Sequence, residues 1–299
     1  MKTGIRRLPK HPITSQKVVT FIFDGKKYTA YKGDTLASAL ISHNIKVVGR
    51  SFKYHRPRGI LTIGSEEPNA LFRVGVGSRI EPNIPATQIE IFDGLVVESQ
   101  NRWPSLNFDL GSINSLFSRL IPAGFYYKTF MWPSSMWENY EWFIRRAAGL
   151  GKAAEDHNDP DRYEHIHYHC DVLIAGGGLS GLISAYILGS SGVKVLIADE
   201  KAELGGSLIY EDDIKIDGSK GTTWVKKIEQ QLNEMSNVKI LKRSCVFGYQ
   251  DHNFLTIAER CSDHLTGVSK SFIRQRLWKV RSKQVLIAQG MHERPQVIS

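Results

Sequence analysis

Apolar and polar positions change their period several times along the chain. From Val19 to Tyr31 they alternate, with Val19, Phe21 and Phe23 before Asp24-Gly25 and Tyr28 and Tyr31 after it. Period two around a D-G pair predicts a β-hairpin. Gly33-Asp34-Thr35 then precedes Leu36, Ala37, Leu40 and Ile41, which is helical spacing behind a capping residue. Short apolar runs at Val47-Val48, Leu61 to Ile63, Ala70 to Gly75 and Gln88 to Phe92 predict further strands. After residue 100 the pattern breaks into proline-interrupted aromatic pieces carrying Trp103, Phe125, Tyr126, Tyr127, Met131, Trp132, Trp137, Tyr140, Trp142 and Phe143. So many large side chains are hard to bury within so short a stretch, and part of them is expected to pack against another domain or subunit. Residues 151–162 are small, charged and turn-forming, and predict a linker.

Beyond the linker the pattern becomes strand, helix, strand. Val172 to Ala175 is a continuous apolar run, Leu182 to Leu188 carries the small residues Ser184 and Ala185, and Val193 to Ala198 is apolar again. A helix is predicted from Thr222 to Met235, with Trp224, Val225, Ile228, Leu232 and Met235 on one stripe. Strands follow at Val238 to Leu241, from Val246, at Phe254 to Ile257, from Trp278, and at Gln284 to Ala288.

These elements predict a fold in four parts. Residues 1–16 form an irregular arm. Residues 17–100 form an α+β module of β-grasp type, like a plant-type ferredoxin. Residues 101–162 are the aromatic connection and linker. Residues 163–299 form an α/β Rossmann-type (FAD/NAD-binding) domain of the two-dinucleotide kind, with a small antiparallel meander. The last strand resembles the second nucleotide-side signature of that fold, with Gln289 in place of a threonine; the residues stop at this strand, before the nucleotide-binding half is complete, so the domain is expected to be incomplete at its C-terminus. A ferredoxin module holds [2Fe–2S] through four cysteines. None lies among residues 1–169, so the module is predicted to lack a cluster.

Candidate chemistry concentrates between Asp171 and Gly206. Gly176, Gly178 and Gly181 follow a buried-type strand in the order G-x-G-x-x-G and open a helix. The first allows the tight turn, the second lets a pyrophosphate approach the backbone, and the third brings helix and strand close. The helix N-terminus offers N–H groups to phosphates. Asp199 follows the first glycine by 23 residues, near the offset of a carboxylate that accepts ribose hydroxyls. An acid there, with Glu200 next to it, favours NAD or FAD over NADP; Lys201 weakens the preference slightly.

Charge and cysteine content narrow the classes. A net charge of +9 invites a nucleic-acid reading. Only Arg50-Ser51-Phe52-Lys53-Tyr54-His55-Arg56-Pro57-Arg58 mixes bases with aromatics, without a nucleic-acid motif, so an acidic subunit or cofactor phosphate is the better match. No apolar run is long enough to span a membrane and the basic N-terminus has no secretory core. Cys170, Cys245 and Cys261 make neither a disulfide framework nor a zinc pattern, which fits a reducing cytoplasm. His165, His167 and His169 share one face of an extended segment but lack a further ligand set, so no metal site is predicted.

The stretches GDTLASAL, VGRSFKYHRPRG, GSEEPNAL, SQNRWPS, PAGFYYKTFMWP, IRRAAGLG, DEKAELGG, FGYQDHNF and QGMHERP resemble the α subunit of heterotetrameric sarcosine oxidase. The resemblance implies an assembly with β, γ and δ subunits that oxidises the small molecule sarcosine to glycine, hydrogen peroxide and a one-carbon unit, released as formaldehyde or passed to tetrahydrofolate. It implies FAD in the β subunit, FMN between α and β, and NAD in the α subunit. The folate part would lie in a region missing from this chain. Carried over by alignment, Ser180, Lys201, Ser207 and the Val246 backbone join Asp199 and Glu200 as NAD contacts. The candidate cofactor residues are therefore Gly176, Gly178, Ser180, Gly181, Asp199, Glu200, Lys201, Gly206, Ser207 and Val246. No catalytic residue is identified, and His292 and Glu293 receive no role. The alternatives are an FAD-binding subunit of a dye-linked amino-acid dehydrogenase and a non-catalytic scaffold subunit.

Overall fold

A computed structural model describes residues 7, 13, 16–119, 132–147, 149–154, 158–211, 213–265 and 272–291. These fall into two compact units, one on either side of the Pro160–Asp161 bond.

The first unit opens with a hairpin of β1 (Val18–Phe23) and β2 (Lys26–Tyr31). Its turn residues Asp24 and Gly25 both have positive φ, 46° and 75°, as a twisted two-residue turn demands. Helix α1 (Leu36–Ser42) starts in a reciprocal cap between Thr35 and Ser38. Two-residue strands β3 (Gly49–Arg50) and β4 (Pro57–Arg58) bracket the basic loop. Then come β5 (Leu71–Val74), β6 (Glu81–Pro85) and β7 (Leu95–Ser99). The main sheet runs β2-β1-β7-β5-β6, with β1 and β7 parallel at its centre. Helix α1 and the sheet share a core of Phe21, Phe23, Leu36, Leu40, Phe72, Leu95 and Val97. This is a β-grasp sheet.

Three predicted strands differ here. Val47-Val48 falls just short of β3. Leu61 to Ile63 is a loop, because the N–H groups of Leu61 and Thr62 both donate to the Glu67 carboxylate. Gln88 to Phe92 forms no named strand; it braces the start of α1, with Leu36 N–H on the Ile89 carbonyl and Ile91 N–H on the Asp34 carbonyl. Strands β6 and β7 lie outside the predicted strands. Helix α2 (Trp137–Ala147) follows in the aromatic segment. Trp103, Trp132, Trp137 and Trp142 are all at least 52% exposed, in keeping with the expectation that the segment cannot bury them itself. Phe125, Tyr126, Tyr127 and Met131 lie outside the described residues.

The second unit begins with β8 (Arg162–Ala175), followed by α3 (Leu179–Ser190) and β9 (Val195–Ala198). A small hairpin of β10 (Lys215–Ile216) and β11 (Ser219–Lys220) leads into α4 (Gly221–Glu234). Strands β12 (Val238–Leu241), β13 (Ser244–Gln250), β14 (Phe254–Arg260) and β15 (Ile273–Ile287) complete it. The sheet order is β12-β9-β8-β15-β14-β13. The first four are parallel, and β15, β14 and β13 form an antiparallel meander. On one side α3 and α4 bury Leu182, Ala185, Trp224, Val225, Ile228 and Leu232 against Ile174, Val195 and Ile197.

Two corrections concern this sheet. Strand β8 starts at Arg162, ten residues before the apolar run at Val172 that marks it in the sequence, so the extended segment of His165, His167 and His169 is part of that strand. They occupy its exposed face. The pieces expected from Trp278 and at Gln284 to Ala288 are one strand, β15, which pairs with β8 from Ile273↔Arg162 to Ile287↔Ala175. The continuous apolar run of β8 marks only the part covered on both faces; the rest alternates because one face is open. Among the described residues, no helix is long and apolar enough to cross a membrane.

Candidate functional site

The glycine turn, the end of β9 and the turn at Gly205 meet at one corner of the second unit. Gly176 has φ +110°, and a Cβ there would lie 2.3 Å from the Ala288 carbonyl oxygen just past β15. A Cβ on Gly181 would lie 1.9 Å from the Gly176 carbonyl oxygen. Both glycines are therefore required by packing. Gly178 is different. It is the N-cap of α3, without a side-chain cap, and a Cβ there would find nothing nearer than the Gly206 Cα at 3.9 Å. Gly178 and Gly205 form an isolated parallel bridge, and Gly205 N–H donates to the Gly177 carbonyl at 2.8 Å. Two bare glycine backbones, Gly178 and Gly206, thus face each other at the start of a helix.

Asp199, at the end of β9, turns its carboxylate into this corner. One oxygen accepts from Gly177 N–H at 2.6 Å and the other from Lys201 N–H at 2.8 Å. A carboxylate has about four acceptor positions, so each oxygen keeps capacity for a further donor. Ser244 N–H donates to the Asp199 carbonyl at 2.7 Å and Arg243 N–H to the Lys201 carbonyl at 2.9 Å, which ties β13 to the acidic turn. The Arg260 guanidinium donates to the Glu200 carbonyl at 3.1 Å. The Lys201 ammonium lies over the Tyr210 ring at 5.8 Å. Ser207 is half-buried in the 3₁₀ turn Gly206–Ile209, and Ser180 is exposed in the first turn of α3. Val246 is half-buried on β13, two residues after Ser244, beside a bulge.

Gly176, Gly178, Gly181, Asp199 and Gly206 are thus brought together directly. Glu200, Lys201 and Ser207 lie in the adjoining turns, and Val246 one strand away. Gly177, Gly205 and the Ala288 carbonyl escaped the sequence reading. A second glycine beside Gly206 was a usable signal for Gly205; nothing marked the other two.

All three cysteine thiols are held above their ordinary value, which lowers their thiolate content. Burial pushes the Cys261 thiol up to about 11, with Glu259 adding to the shift. Burial and Glu200 raise Cys245, and burial raises Cys170. Among the described residues, no three His, Cys, Asp or Glu side chains are grouped to hold a metal.

Comparison with known proteins follows this division. Residues 16–102 match a family described as a 2Fe-2S iron-sulfur cluster binding domain, and residues 174–236 match an NAD(P)-binding Rossmann-like domain. The sarcosine oxidase subunit alpha of Rhizobium meliloti is 47% identical over 97% of this chain. The chain is homologous to the α subunit of sarcosine oxidase. The α subunit from Corynebacterium sp. (strain U-96) is 32% identical over 95% of the chain. The chain spans 30% of the length of the Rhizobium α subunit and 25% of the Corynebacterium one. In fold, the L-proline dehydrogenase of P. horikoshii superposes with a TM-score of 0.53 over 92% of this chain and 41% of its own, at 20% identity.

Proposed function

We propose that the chain binds NAD at the corner of Gly176–Gly178, Asp199 and Gly205–Ser207, as part of a multi-subunit sarcosine oxidase. One observation carries the binding reading: a carboxylate anchored on the glycine turn stands beside two facing glycines at a helix start. The residues have distinct tasks in this reading. The N–H groups at the start of α3 receive the diphosphate, whose approach Gly178 and Gly206 leave unobstructed. Asp199 accepts ribose hydroxyls with its remaining lone pairs, while Glu200 and Lys201 border the sugar. Ser180 and Ser207 flank the phosphates and the Val246 backbone meets the adenine.

The α-subunit homology supports the rest of the proposal. Sarcosine is oxidatively demethylated in the assembled complex to glycine, hydrogen peroxide and a one-carbon unit, formaldehyde or methylene-tetrahydrofolate. FAD and FMN of the complex supply the amine oxidation and the passage of electrons to oxygen. This chain contributes the NAD site and helps to frame the flavin site beside the β subunit, with γ and δ completing the assembly.

Titration calorimetry of the full chain with NAD and with FAD tests the site. NAD binding that disappears in Gly178→Leu is the expected result. A yellow protein that binds FAD and ignores NAD would replace the reading by that of a dye-linked dehydrogenase subunit. Unchanged sarcosine turnover by a complex carrying Gly178→Leu would reduce the site to a scaffold role.

A further inference from the structure

The first unit matches a cluster-binding family yet has no cysteine to hold a cluster. We infer that Thr62, Glu67, Ala70 and Ala86 occupy the four ligand positions of a [2Fe–2S] site, and that the Glu67 carboxylate has taken over the ordering of the loop that an anionic cluster would provide.

The spacing is the first observation. Plant-type clusters are held by C-x₄-C-x₂-C and a distant fourth cysteine. Thr62, Glu67 and Ala70 reproduce the intervals of four and two residues. All three are buried, at 9%, 3% and 0% exposure. Ala86 supplies the distant position. Its N–H donates to the Ala70 carbonyl at 2.8 Å, one step beyond the Leu71↔Pro85 pair of β5 and β6, and it is fully buried. Directly opposed residues of an antiparallel pair project to the same face, so Ala70 and Ala86 share one.

The second observation is what fills the loop. One Glu67 oxygen accepts from Leu61 N–H at 2.8 Å, Thr62 N–H at 2.7 Å and the Thr62 hydroxyl at 3.4 Å. The other accepts from Asn69 N–H at 2.9 Å and Ala70 N–H at 3.2 Å. Four backbone amides, two of them at candidate ligand positions, therefore converge on a single buried anion. In a cluster loop such amides would face sulfur. The Thr87 hydroxyl donates to the Gly64 carbonyl at 2.6 Å and closes the other side of the loop. One carboxylate, one hydroxyl and two methyl groups do not make the thiolate set that iron and sulfide require, so the group does not fit the residues present and the unit conducts no electrons through it.

Restoring the thiols is the test. The full chain carrying Thr62→Cys, Glu67→Cys, Ala70→Cys and Ala86→Cys is treated anaerobically with ferrous iron and sulfide, beside the unchanged chain. Two irons per chain with the visible absorption and reduced-state electron resonance of [2Fe–2S] are expected in the variant, and no iron in the unchanged chain. A folded variant that gains no iron would overturn the assignment. So would equal uptake when the first cysteine is placed at Ile63 instead of Thr62. Should the fourfold variant not fold, Glu67→Gln alone decides. Amide exchange at Leu61, Thr62, Asn69 and Ala70 should then accelerate about tenfold or more, with β1 and β7 unchanged; unaltered protection at those four amides would refute the role given to Glu67.

Discussion

The Asp199 carboxylate lies 2.6 Å from the Gly177 amide nitrogen, and so fastens the end of β9 to the glycine turn. Its other oxygen holds the Lys201 amide at 2.8 Å. The acid therefore shapes both loops that would grip a ligand, and its loss should register twice. In Asp199→Asn, one oxygen becomes an N–H₂ that faces a backbone N–H donor. Hydrogen bonds to a charged group contribute about 1.5–3 kcal/mol, so NAD should bind roughly 10- to 100-fold more weakly, with a lower melting temperature. Calorimetry and thermal melting read the two effects separately.

Gly178 and Gly181 should part company under the same substitution. The extra methyl of Gly181→Ala meets a backbone oxygen at 1.9 Å, which neither element can yield easily, and a loss of about 3 kcal/mol or more is expected. Gly178→Ala makes only an ordinary van der Waals contact at 3.9 Å and should cost less than about 1 kcal/mol. Its methyl would stand in the path of a diphosphate, so affinity falls while stability holds. Urea unfolding and NAD titration of both variants make the comparison.

Acid should loosen the joint between β1 and the turn before β7. Asp93 accepts from the Thr20 N–H at 2.9 Å and the Thr20 hydroxyl at 2.7 Å. The backbone bond, then the hydroxyl, holds the Asp93 carboxyl below its ordinary value of 3.8. A carboxylate with a lowered folded value stabilises above its unfolded value and loses that contribution as pH falls through the folded one. The melting-temperature gap between the unchanged chain and Asp93→Asn should be full above about pH 5 and shrink below pH 3.8.

Cys261 should resist alkylation. A thiol moved from 9.0 to about 11 has about a hundredth of the thiolate at pH 8. Its labelling by iodoacetamide, followed by mass spectrometry of the folded and urea-unfolded chain, should differ by about that factor.

The residues show why one part of the site was readable and another was not. Gly176 and Gly181 announce themselves because each is forced by a backbone oxygen where only hydrogen fits. Asp199 was found because strand and helix lengths fix its distance along the chain. Gly177 carries no such mark, since its contribution is an amide that any residue possesses. The hairpin at Asp24-Gly25 and the stripe of α4 follow from local periodicity. Leu61 to Ile63 misled because an apolar run says nothing about where its amides go, and here Glu67 claims two of them. Strand β15 was cut in two because Lys279, Arg281 and Lys283 break the apolar pattern, while its length is set by pairing with β8, which lies more than a hundred residues earlier.

That long strand has a mechanical consequence. At about 3.3 Å per residue, its 15 residues make a spar of roughly 50 Å. Its outer half carries β14, and its far end delivers the Ala288 oxygen against Gly176. The pairing of Arg260 with Gln275 and the oxygen that meets Gly176 thus sit at opposite ends of one continuous element, so the meander and the glycine turn share a single strand.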